Sequence, residues 1–190
     1  YDELLGRAVS KFVPADDLVV PYTATSLDDA EAVIHVVKMS ENELRKQMVS
    51  GFYSDIELTK PTGTITNDLE EKEREVEGIT KSQRIDSLYT ILECHVNLDL
   101  EGFEDLGPDG EPTGIKLPYI VTIEEGSRKV LSIRRNFAPN DPKKNKIQYF
   151  VHFKFLPGLG FYGLGLIHMI GGLSRTATAA LRQLLDAGTL

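Results

Sequence analysis

The chain has 190 residues, enough for one good-sized core or two small ones without a disulfide or metal to hold it. Its 41% hydrophobic and 26% charged residues are ordinary globular composition, and its single cysteine, Cys94, excludes an internal disulfide framework and suits a reducing compartment. A formal net charge of -8 makes it a poor candidate for gripping nucleic acid by phosphate neutralisation, though not for letting DNA slide past.

The chain begins at Tyr1, not methionine, and ends just past the helix-stop residue Gly188, as expected of a piece of a longer polypeptide. No charged-then-apolar leader pattern opens it. Between Phe155 and Ser174 there is no formal charge for 20 residues, but six glycines, Pro157 and His168 interrupt the run, and its first half reads as loop. A membrane span is not expected there.

In chain order, Asp17 to Val20 and Ala32 to Val37 read as short strands around a polar turn from Thr25 to Asp29. Ser40-x-x-Glu43 is a capping-box pattern that opens a helix; Leu44 and Met48 give it a narrow apolar face and Gly51 stops it. Residues 67–78 read as a short acidic helix with a solvated face. From Leu88 to Leu100 the even positions are mostly apolar and the later odd ones polar, which predicts a strand with one buried face. Ile115 to Ile123, Val130 to Phe137 and Ile147 to Phe155 add three strands, and their short connections predict an antiparallel sheet.

After Phe155 a glycine-rich turn containing Gly158, Gly160, Gly163 and Gly165 leads into a helix from about Leu164 to Ala187. Its apolar stripe runs through Ile167, Ile170, Leu173, Ala177, Leu181 and Leu184. Gly172, Thr176 and Ala180 form a small-residue track that a neighbouring helix could approach, a candidate subunit interface. Arg175 and Arg182 mark the opposite face as candidate channel-facing residues. The class predicted is α+β, with a mixed domain over 1–155 and a glycine-rich turn plus long helix over 156–190.

No catalytic, cofactor or metal site is expected. Gly158-x-Gly160-x-x-Gly163 has the form of a dinucleotide-binding fingerprint, but the chain shows no second strand after the helix and Asp186 still lies within it. The turn reads instead as a hinge needing glycine's backbone freedom. Cys94 and His95 are adjacent on a strand and point to opposite faces, so they cannot share a metal. The acidic loop Asp99, Glu101, Glu104, Asp105 and Asp109 lacks the ligand ladder of a calcium loop. Arg134, Arg135, Lys143, Lys144 and Lys146 cluster around one predicted hairpin, either a partner patch or a solvated loop.

Four blocks taken in order resemble the portal proteins of short-tailed double-stranded-DNA bacteriophages and related prophages. They are Leu44 to Asp55 (LRKQMVSGFYSD), Glu93 to Asp105, Gly114 to Ile123 followed by Val130 to Asn136, and Phe153 to Gly188 with its FKFLPGLGFYG opening. The resemblance covers most of residues 20–190. It implies part of a wing domain and the start of a stem helix, within a dodecameric ring that conducts DNA during packaging and ejection. It also implies terminase, head-to-tail adaptor and capsid or scaffold proteins as partners. The implied location is the portal vertex of the virion, reached from the bacterial host cytoplasm during assembly. Two alternatives remain open: a nucleotide-binding enzyme domain built on the glycine turn, and a prophage-derived protein-interaction module.

Overall fold

Alternating apolar residues between 18 and 135 come together in one antiparallel sheet. The structure, a computed structural model, describes residues 9–58, 88–158 and 160–188. A 3-10 turn, Ala15–Asp17, leads into β1 (Leu18–Val19), followed by β2 (Ala32–Met39), α1 (Glu41–Val49), β3 (Tyr89–Leu98), β4 (Leu117–Glu124) and β5 (Lys129–Arg135). The strands lie in sequence order β1-β2-β3-β4-β5, every neighbouring pair antiparallel. α2 (Leu166–Gly188) closes the described chain. The fold is α+β, with two α-helices among the described residues. The predicted acidic helix at 67–78 lies outside the described residues.

β3 is covered on both faces, which corrects the expectation of a single buried face. On one side Tyr89 and Ile91 join Leu44, Tyr53 and Leu131 in a core. On the other, Cys94, Val96 and Leu98 pack against Leu117, Tyr119 and Val121 of β4. Charge usually marks the wet side of a strand, which is why its sequence predicts a single buried face. Here the polar odd positions pair across the sheet: Glu93 stands between His35 and Thr122, and His95 between Val33 and Ile120.

Local chemistry fixes the pieces around this core. Ser40 Oγ accepts a hydrogen bond from the Glu43 amide at 3.3 Å, and the Glu43 carboxylate accepts one from the Ser40 amide at 3.2 Å. That reciprocal cap starts α1 and aims Leu44, fully buried, at the sheet. Gly51, at φ +76°, ends it. In β5 a register shift pairs Val130 with Ile123 and Ser132 with Thr122, leaving Leu131 as the extra residue. Its side chain is wholly buried and its carbonyl accepts from the Ser54 amide at 2.7 Å.

Two compact units make up the chain. The first comprises Tyr1–Val20 and Glu31–Ile147 and holds the sheet; the second comprises Pro21–Ala30 and Gln148–Leu190. In the second, residues 148–155 join no named strand, contrary to the strand predicted at Ile147 to Phe155. The Ile147 amide donates to the carbonyl of Asn136, just past β5, at 3.0 Å. Among the described residues, no helix is long and apolar enough to cross a membrane.

Candidate assembly surface

The glycine turn is a bonded loop. Leu156 and Leu164 form an antiparallel bridge, each amide donating to the other's carbonyl at 3.3 and 2.8 Å. Inside that bridge Gly160 sits at φ +124°, a region closed to most L-residues. Gly163 is required for a different reason: a Cβ there would lie 2.8 Å from the Leu156 carbonyl oxygen and 3.1 Å from Lys154 Cβ. Gly158 and Gly165 are less constrained, with nearest contacts of 3.4 and 3.8 Å for an added Cβ. The Gly165 amide donates to His168 Nδ1 at 3.1 Å, which satisfies one backbone group at the start of α2.

Three residues that sequence reasoning did not single out tie the loop down. Lys154 Nζ donates to the carbonyls of Gly160 at 3.0 Å and Thr25 at 3.3 Å. The His152 ring stacks on Phe161 with centroids 4.2 Å apart, and Phe161 is buried. Burial, with Lys154 nearby, holds the His152 imidazole below its ordinary pKa. The turn at Thr25 is equally fixed: its hydroxyl and amide, and the Ser26 amide, all donate to the Asp29 carboxylate, whose pKa falls to about 2. Lysine and histidine beside a glycine loop were the available signals.

α2 has 23 residues, and at 1.5 Å per residue it is about 35 Å long. None of its residues is buried. At 100° per residue its predicted stripe spans about 120° of the helix; Arg182 and Arg175 lie about 60° and 80° beyond the Ile167 edge, and Ala180, Thr176 and Gly172 about 20°, 60° and 100° beyond the Leu173 edge. Thr176 turns its hydroxyl back to the Gly172 carbonyl at 3.0 Å, leaving its methyl outward. A groove along the helix runs between Ile167 and Arg182, and every lining residue comes from α2 itself.

The other concentration of chemistry-bearing residues lies in the first unit, in a row across one sheet face. His35, Glu93, Thr122 and Ser132 are successive ladder partners. His35 Nδ1 lies 3.0 Å from the Glu93 carboxylate, and Ser132 Oγ donates to Thr122 Oγ1 at 3.2 Å. The His35 hydrogen bond holds the Glu93 carboxyl below its usual range despite burial, while burial holds His95 below the ordinary imidazole value. Arg134 caps the row, its guanidinium 4.3 Å from the Phe52 ring centroid. Arg134 Nε and both polar side-chain atoms of Asn136 are buried without a hydrogen-bond partner among the described residues.

The predicted basic cluster is largely taken up by the chain itself. Arg135 lies over Phe103 at 5.9 Å and Lys144 pairs with Asp105, which also accepts from Thr113 Oγ1 at 2.8 Å. The acidic loop is thus partly neutralised by a lysine from the basic one. Burial raises the Cys94 thiol's pKa, which keeps it protonated. Among the described residues no group of three or more histidine, cysteine or acidic side chains is placed to hold a metal ion.

Comparison with protein-family models and with curated proteins finds no match for this chain. The class that stands is therefore the structural one: an α+β chain with a five-stranded antiparallel sheet and a long, uncovered C-terminal helix.

Proposed function

We propose that this chain is part of the wall of a phage portal ring, a homo-oligomer that conducts double-stranded DNA into and out of the viral head without catalysis of its own. One observation carries the reading: α2 is amphipathic over 23 residues, yet none of its side chains is buried. A soluble helix with an apolar stripe is stable when that stripe is covered. In a ring of identical subunits, the neighbour supplies the cover. The ordered resemblance of four blocks to portal proteins supports the same assignment. Terminase, head-to-tail adaptor and capsid or scaffold proteins are the partners that reading brings with it, at the portal vertex.

The glycine loop as a nucleotide cradle has less support. The Gly160 carbonyl is already bonded by Lys154, and all the described strand pairs are antiparallel, unlike those flanking a dinucleotide fingerprint. Net charge of -8 fits a conduit better than a clamp, since strong phosphate neutralisation would trap DNA.

Electron microscopy of the assembled protein tests the reading: a closed ring with a central hole is expected, and a monomer at all concentrations would sink it. Ala180→Glu should reduce ring formation if the small-residue track is an interface. Rings that assemble normally with that substitution remove the track but not the ring. Duplex DNA should bind weakly, and a tight, salt-sensitive affinity would contradict a conduit.

A further inference from the structure

The end of β5 carries two side chains that the fold buries and leaves short of partners. Ladder register puts Ser132 and Arg134 on one side of the sheet, with Arg134 beside Ile120 and, through it, His95. The Asn136 amide donates to the Pro118 carbonyl, which carries the same alternation one step past β5 and sets Asn136 on that side too. Asn136 is 1% exposed, and neither its carboxamide oxygen nor its nitrogen meets a hydrogen-bond partner among the described residues. Arg134 Nε is buried and unbonded in the same way. A buried polar atom left unmet gives up its hydration for nothing, and the loss is greatest on a charged group.

The neighbours of Arg134 are engaged elsewhere. The Glu93 carboxylate, close enough to feel the Arg134 charge, is bonded by His35 at 3.0 Å. Phe52 lies against the guanidinium, 4.3 Å from it, and holds its plane. Lys146 and Arg134 both act on His95, so the fixed charge gathered here beyond Glu93 is positive.

The orphaned atoms together describe a ligand. Arg134 Nε–H and the Asn136 NH2 group are donors, which call for acceptor oxygens and negative charge, while the Asn136 carboxamide oxygen calls for a donor. A small oxyanion that keeps a hydroxyl supplies all of these, and hydrogenphosphate is one. Sulfate has no hydroxyl at neutral pH, and neither has the diester phosphate of DNA.

We propose that Arg134 and Asn136 form a binding site for a small hydroxylated oxyanion at this end of the sheet face, with Lys146 adding to its field. Nε and the carboxamide are enclosed, so the occupant has few atoms. Arg134, only half-buried, is the wall nearer solvent. The site is independent of the ring reading: a DNA backbone would not satisfy it.

Heteronuclear NMR reads the two groups directly, through the Arg134 Nε–H and Asn136 side-chain NH2 signals. Inorganic phosphate is titrated into the protein at neutral pH and constant ionic strength, with sulfate in a parallel series. Both signals should shift along one saturable curve with phosphate, about tenfold more tightly than with sulfate. An equal response to the two anions, shifts that rise without saturating, or contacts to water alone overturn the site. Arg134→Lys keeps the charge but loses the Nε donor, and Asn136→Asp places a carboxylate where the anion would sit. Each should weaken phosphate binding about tenfold or more with the circular dichroism spectrum unchanged. Variants that bind phosphate as the parent does overturn the assignment.

Discussion

Leu44, Ile91 and Leu131 of the sheet unit are completely buried, whereas Ile167, Leu173 and Val151 of the strand–helix unit stand mostly in solvent. The residue types are the same. What differs is whether the chain supplies the opposing surface. In the sheet unit α1 and the β5 bulge deliver side chains onto β3, and even the polar row is paired across strands. In the other unit Leu27 and Phe161 are buried, but the odd residues of 149–155 and the whole of α2 are not. A sequence pattern reports which face is to be buried; it does not report whether the same chain buries it.

The largest effect that sharpens this contrast comes from paired truncations. Leu131→Ala should cost about 2–5 kcal/mol in denaturant unfolding, because it leaves a cavity in a filled core. Leu173→Ala should change the unfolding midpoint of the dissociated chain by less than about 0.5 kcal/mol, as for other surface sites, while weakening assembly. Equal effects would erase the distinction between the units.

Two glycine substitutions give a smaller split of opposite sign. Gly163→Ala pushes a methyl against the Leu156 carbonyl and should destabilise the loop by about 1–3 kcal/mol, seen as faster hydrogen exchange at the Leu164 amide. Gly172 has nothing within 4 Å of an added Cβ, so Gly172→Ala should stabilise α2 by about 1 kcal/mol. If the same substitution lowers ring yield, the small-residue track is in contact with a neighbour.

The smallest effect expected is the pH response of the sheet unit. His95 has a depressed folded pKa, so the unfolded chain binds its proton first and stability falls as the pH drops below about 6.5. Glu93 is also depressed, so its contribution is present above the ordinary carboxylate value and is lost as the pH falls through its folded value. Stability against pH should thus show two acid limbs, with His95→Asn flattening the upper and Glu93→Gln the lower. Variants that leave the profile unchanged would show that the row is electrostatically inert.

Local signals in the sequence were enough for the α1 capping box, the Gly51 stop and the extent of α2, because each depends on neighbours a few residues away. Two things were not legible. Polar residues on β3 look solvated until β2 and β4 are placed beside them, since Glu93 is satisfied by His35 at a separation of 58 residues. Residues 148–155 look like a sheet strand because period two is all a sequence shows of one; their inverted burial depends on Phe161 and the Gly160 carbonyl. Of α2, the apolar stripe was readable from helical spacing, while the outward apolar row of residues 149–155 was hidden inside a strand assignment.

The most direct measurement is mass photometry of the protein beside Leu173→Glu, with unfolding followed on the same samples. The account predicts a closed multi-copy assembly for the parent, dissociated by the substitution, with the sheet unit's unfolding midpoint unchanged. A parent that is monomeric at every concentration, or a substitution that unfolds the sheet unit without first dissociating copies, would contradict it.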